Sequence, residues 1–133
     1  MTKQIKMLAP SKDERIFSRE AIDKMLEQVN SDPKSIRVKY IPKKGSEDFT
    51  SMLLLDPKLD AGKVLRARLN EIDEFTVDVL PRENAQGNLL RRAVDQGKQL
   101  DYQLKGKYVK VRIQNDVWYV DNFILETVII TEE

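Results

Sequence analysis

Asn84-Ala-Gln-Gly-Asn-Leu-Leu-Arg-Arg-Ala-Val-Asp-Gln-Gly97 runs directly into Lys98-Gln-Leu-Asp-Tyr-Gln-Leu-Lys-Gly106, and the chain closes through Phe123-Ile-Leu-Glu-Thr-Val-Ile-Ile130. The hydrophobic period changes at Gly97. Before it, Leu89, Leu90, Ala93 and Val94 recur at helical spacing while Arg91, Arg92 and Asp95 face outward, so a helix is predicted from about Asn84 to Gln96. Gly97 stands where a left-handed C-cap is expected. After it, strands are predicted at Gln99 to Lys105, Tyr108 to Gln114, Val117 to Val120 and Phe123 to Ile130, with Asn115-Asp116 as a tight turn. A glycine-stopped helix feeding strands of hairpin length is an α+β pattern.

The residues before this stretch fit that class. Pro81 marks the exit from a strand spanning Phe75 to Leu80, where Phe75, Val77 and Val79 share one face, and Asn70 to Glu74 connects it to a strand at Val64 to Leu69. Met52-Leu-Leu-Leu55, closed by Asp56-Pro57, reads as a short buried strand. Pro42 to Asp48 reads as a polar loop, and Ile36, Val38 and Tyr40 alternate with Arg37 and Lys39 as a half-buried strand. Upstream, Ser18 is placed as an N-cap with Glu20 in the first turn, where the helix dipole favours a negative charge. Ile22, Met25, Leu26 and Val29 then form one apolar face, and Asn30-Ser-Asp-Pro33 ends that helix. Residues 1–16 read as an N-terminal arm: Pro10 interrupts any helix, and Ile5 and Met7 alternate with Lys6. Residues 17–133 contain no repeat, linker or low-complexity segment, so they form one domain. The expected fold is a small, mainly antiparallel or mixed β-sheet, open or curled into a barrel, with two flanking helices.

Composition sets the outer bounds. The 133 residues are 41% apolar and 34% charged with five glycines and five prolines, a globular balance rather than a disordered one. A chain of that length buries roughly two-thirds of its unfolded surface. The net charge of +1 argues against a nucleic-acid sponge, and the absence of cysteine excludes disulfide scaffolds and thiolate sites. No apolar run approaches the ~20 residues that span a bilayer, and the first ten residues are too weakly apolar for a signal peptide. A soluble protein made in a cytoplasm is the expectation.

From Gly87 to Ile130 the order of motifs resembles the C-terminal half of the tailed-phage prohead (capsid maturation) protease domain. That family has a glycine-ended helix, then a strand of the type Gly-x-x-Leu-Gly-x-Ser-x-Arg-Gly, then a closing strand of the type Phe-x-Leu-x-x-Val-x-Ile. Gly87 and Leu90 match the helix opening; Gly97, Leu100, Lys105 and Gly106 match the serine strand; Phe123, Leu125, Val128 and Ile130 match the closing strand. Phe17 to Leu26 matches the family's opening helix, so the resemblance covers roughly residues 17 to 131. It implies a small β-barrel flanked by helices, the fold shared with herpesvirus assemblins. It also implies a lost active site. The nucleophile serine falls at Gln103 or Leu104, the chain contains no histidine, and the stretch from Pro42 to Asp60, where the catalytic histidine belongs, offers only Pro42-Lys-Lys-Gly-Ser-Glu-Asp.

Other routes to chemistry are weak. A serine hydroxyl needs a base within hydrogen-bond reach, and without histidine only lysine or a carboxylate remains. Ser46 and Ser51 lie near Lys43 and Lys44, a pairing that reads first as a solvated loop. Glu71, Asp73 and Glu74 read as a charged hairpin end, and Glu132 and Glu133 as a frayed terminus; with Asp56 and Asp60 the first group offers at most weak cation binding, so no metal or other cofactor is expected. Lys105, Lys107, Lys110 and Arg112, with Tyr102, Tyr108 and Trp118 nearby, have the composition of a nucleic-acid face. Their alternation with Val109, Val111 and Ile113, and the nearby Asp101 and Asp116, favour the outward side of an amphipathic strand, and nucleic acid is not the expected partner.

The expected function is therefore that of a non-enzymatic bacteriophage virion protein, an auxiliary, cement or internal head component binding the major capsid protein in many copies. Lys3, Ile5, Met7, Lys43 and Lys44 are its candidate contacts. A small host-directed binding protein or inhibitor is the alternative, and an active protease with a Ser-Lys dyad is the third reading.

Overall fold

The computed structural model describes residues 3–6, 15–71 and 74–132. Ser18 caps α1 (Arg19–Ser31): its hydroxyl accepts a hydrogen bond from the Ala21 N–H at 3.2 Å, and the face carrying Ala21, Met25 and Val29 is fully buried. Asn84 caps α3 (Ala85–Asp95) in the same way, accepting from Gly87 N–H at 2.7 Å. At the far end of α3, Gly97 has φ +68°. Its N–H bonds Val94 O at 3.0 Å and the Lys98 N–H bonds Ala93 O at 3.1 Å, a Schellman closure of the kind the sequence predicts.

Two sheets hold the described strands, mostly antiparallel. In the first, β4 (Gly62–Leu69) and β1 (Lys3–Lys6) flank β5 (Phe75–Pro81), all antiparallel. Both faces of β5 are buried: Phe75, Val77 and Val79 enter the main core, while Thr76 and Asp78 are covered on the other side. Asp78 accepts there from Arg66 Nε at 2.6 Å and Arg68 Nε at 3.4 Å. The second sheet is organised by β7 (Val117–Glu132). β6 (Leu100–Gln114) pairs antiparallel along its whole length. On the opposite edge, β2 (Arg15–Phe17) and β3 (Arg37–Ile41) pair with it in parallel.

Helix α1 ties the sheets together with two side-chain amides. Gln28 Nε2 donates to Leu125 O at 2.8 Å and its Oε1 accepts from Leu125 N–H at 2.9 Å. Leu125 lies on the β7 edge between the segments paired by β2 and β3, so Gln28 supplies the bonds that a strand makes elsewhere. Two residues along, Asn30 does the same for Ala67 of β4, with Nδ2 to Ala67 O at 2.9 Å and Ala67 N–H to Oδ1 at 2.8 Å. Met25 and Val29 of α1, Val38 and Tyr40 of β3, Val64, Phe75, Val77 and Val79 of the first sheet, Leu89 and Leu90 of α3, and Phe123, Leu125, Val128 and Ile130 of β7 form one continuous core.

Four expectations are corrected. The four short C-terminal strands are two long ones joined at Asn115-Asp116, whose φ values of 52° and 61° make the left-handed turn that a two-residue hairpin needs. The described strands do not close into a barrel. There are three α-helices among the described residues, with a short 3-10 turn at Pro33–Ser35, rather than two. The extra helix, α2 (Glu47–Leu53), replaces the end of the predicted loop and the predicted buried strand at Met52–Leu55. Ser46 caps it and Glu47 and Asp48 fill its first turn, a start signal that outweighs a short apolar run. Met52 and Leu55, three apart, pack against the core, while Leu53 and Leu54 are 69% and 84% exposed. No helix among the described residues is long and apolar enough to cross a membrane.

Candidate binding edge on the long hairpin

Three register shifts shape the β6–β7 hairpin. Lys105 faces Thr127 but Gly106 faces Leu125, leaving Glu126 extra; Tyr108 faces Phe123 but Lys110 faces Asn122, leaving Val109 extra; Val111 then faces Val120, leaving Asp121 extra. Each bulge increases twist and re-aims the side chains beyond it. Tyr108 lies edge-on to Phe123, ring centres 5.0 Å apart, so this face of the hairpin is continuous with the core. Past Val120 it leaves the core: on the same face, Val111 pairs with the buried Val120 and Ile113 with Trp118. Ile113 is 60% exposed and Trp118 49%. The opposite face carries Lys105, Lys107, Lys110 and Arg112.

Arg112 is held in place. Its guanidinium stacks over the Tyr119 ring at 4.3 Å, donates from Nε to Asp121 at 2.7 Å and from Nη1 to Gln114 at 2.9 Å. Burial pushes the Asp121 carboxyl up, but hydrogen bonds from Ser18 and Arg112, together with the charges of Arg112 and Lys110, outweigh it and hold the group below the ordinary carboxylate range. A lowered folded-state pKa stabilises the fold above the unfolded value and loses that contribution as pH falls through the folded one. Asp121→Asn is therefore expected to lower the urea midpoint near neutral pH, with the gap to the parent closing in acid below about pH 4. A constant gap across that range rules out the ionised pair as its cause.

Among the described residues β6 pairs with no strand but β7, which leaves its other edge open to a further strand there. Lys105 and Lys107 make no ion pair among the described residues, and Lys110 contributes only its field at Asp121. The basic residues thus share one face of β6, but beyond Tyr108 the apolar residues that alternate with them, Val109, Val111 and Ile113, are exposed as well. The missed signal was continuity: alternation runs from Tyr102 to Tyr108 across Gly106 and resumes in the opposite phase after the bulge at Val109.

Of the other described candidate positions, only Gln103 and Leu104 lie on β6. Lys3 and Ile5 belong to β1, paired with β5 in the other sheet, and Met7 lies outside the described residues. Lys43 and Lys44 are exposed in the turn after β3, where the Lys43 N–H reaches Glu132 Oε2 at 3.3 Å. Gln103 is exposed in β6, while its neighbour Leu104 turns inward against the core. The Ser46 hydroxyl accepts from Phe49 N–H at 3.1 Å and donates to Lys43 O at 2.6 Å, so it serves as a helix cap with its proton already placed. Ser51 is exposed on α2. Asp60 is occupied by Arg37 at 3.0 Å and Lys39 at 3.4 Å, and no three acidic side chains among the described residues converge to hold a cation.

No family model matches the chain, and no curated protein or solved structure shows significant similarity to it.

Proposed function

We propose that the protein is a non-enzymatic binding component that joins its assembly by strand addition, its β6 edge taking up an extended segment of a partner in which acidic and apolar residues alternate. The observation that carries this reading is the 15-residue β6, which pairs only with β7 among the described residues, with cations on one face and the exposed Val111 and Ile113 on the other. Strand addition draws affinity from main-chain hydrogen bonds and specificity from alternate side chains. Acidic residues of the added strand fall beside Lys105, Lys107 and Lys110, and apolar ones beside the exposed Val111 and Ile113. A second copy fits poorly, because pairing β6 with itself sets lysines against lysines, and like charges opposite one another destabilise a sheet. The resemblance to prohead proteases supplies the setting: a phage head, with the major capsid protein as partner and many weak contacts combined by multivalency.

The test uses a synthetic peptide of alternating glutamate and valine, followed by amide exchange. Protection is expected on β6, weakening with added salt, and Lys105→Glu/Lys107→Glu/Lys110→Glu is expected to weaken binding by at least about ten-fold without changing Tm. Equal binding of a lysine–valine peptide overturns the charge argument, and protection elsewhere overturns the edge. Quantitative mass spectrometry of virus particles tests the setting separately: many copies per particle support the head role, and absence removes it.

A further inference from the structure

On the far side of β7 from β6, a pocket of about 380 Å³ opens between β3, α2 and the turn from Asp56 to Ala61. Its walls are Tyr40, Met52, Leu55, Pro57 and Ala61, and its mouth is ringed by Ile41, Leu53 and Leu59, which are 43%, 69% and 48% exposed. The volume falls within the range of small-molecule sites, and the lining is apolar as such sites are. Two buried lining residues carry polar atoms with no hydrogen-bond partner among the described residues: the Tyr40 hydroxyl and Gln86 Oε1. These residues are 3% and 4% exposed. An unmade bond at a buried polar atom is costly, so two in one pocket call for an explanation.

The chemistry of the missing partner can be read from its surroundings. Gln86 Nε2 donates to Asp56 O at 2.8 Å. A carbonyl only accepts, so the amide orientation is fixed and Oε1 is left as an acceptor awaiting a donor. The Lys39 ammonium is spent on Pro57 O at 2.6 Å, Leu59 O at 2.9 Å and Asp60 at 3.4 Å, and offers the pocket no free cation. Burial first, then the nearby charges of Glu132 and Asp48, push the Tyr40 hydroxyl up to about 12, so it stays protonated and its surroundings repel an anion. We propose that this pocket binds a neutral, mainly apolar small molecule that delivers an N–H or O–H donor to Gln86 Oε1 and the Tyr40 hydroxyl. Both atoms are buried, so the ligand reaches them only as lining side chains shift.

Indole and 1-methylindole test this directly, since they differ only by the N–H donor and a methyl group. Titration of the isotope-labelled full chain, followed by NMR, is expected to move the amides of 39–41, 52–61 and 86. Indole is expected to bind about five-fold tighter than 1-methylindole, the worth of one neutral hydrogen bond. Gln86→Leu and Tyr40→Phe are each expected to reduce that preference, and Tyr40→Phe to keep or raise Tm because it removes an unpaired buried hydroxyl. Equal affinity of the two probes, shifts confined to other residues, no binding by indole, or a lower Tm for Tyr40→Phe each overturns the proposal.

Discussion

Phe123→Ala is expected to cost about 3–5 kcal/mol of folding stability, the range for deleting a buried aromatic ring. Phe123 is 2% exposed at the point where β2, β6 and β7 meet. Its ring receives Phe17 edge-on at 5.2 Å and Tyr108 edge-on at 5.0 Å, each pair adding about 0.5–1.5 kcal/mol beyond burial. Small domains are stable by about 5–15 kcal/mol, so this one change removes a large share of the total. Urea unfolding measures it, with Phe123→Leu as the partner variant that keeps much of the volume and loses the ring contacts. Nearly equal losses for the two variants assign the effect to the aromatic pairs rather than to the cavity. A loss below about 1 kcal/mol for Phe123→Ala contradicts the burial itself.

The contrast between what local chemistry announced and what it hid follows a physical line. Ser18, Asn84, Gly97 and Asn115-Asp116 act on backbone groups within a few residues, and each does in the structure what its type predicts. Met52–Leu55 misled because a four-residue apolar run has no period of its own; the cap at Ser46, outside the run, decides its structure. Which strands lie beside β7 depends on partners many residues away, so the parallel pairing of β2 and β3 was not legible, nor was the pairing of β1 with β5. The same holds for Gln28 and Asn30: an amide on a helix carries no mark that it will close a strand edge 97 or 37 residues away. Of the candidate sites, the basic residues of β6 were visible, but that β6 pairs only with β7 among the described residues was not, because pairing is a property of the whole sheet. The pocket at Tyr40 and Gln86 was hidden for the same reason, since an orphaned polar atom exists only after packing.

Gly106→Ala is expected to be similarly damaging, at about 3 kcal/mol or more, because the obstruction is backbone. A Cβ placed there meets the Ile124 carbonyl oxygen at 2.0 Å and the Phe123 ring at 2.9 Å. A flexible side chain moves away from such a contact, but a carbonyl in a paired strand does not, so β6 and β7 must part at the bulge between Lys105 and Gly106. Gln103→Ala, three residues earlier on the exposed face, is the control and is expected to change stability by less than about 0.5 kcal/mol. Amide exchange then locates the damage, with protection lost first in the hairpin beyond Gly106 and kept longest at α1 and β5. If Gly106→Ala is tolerated as well as Gln103→Ala, the close approach of the strands is wrong and the edge proposed for partner binding loses its geometry. If it is not, Gly106 is glycine for reasons of packing alone. Its place in a protease-like motif then says nothing about a nucleophile, and its small size serves the close approach of two strands.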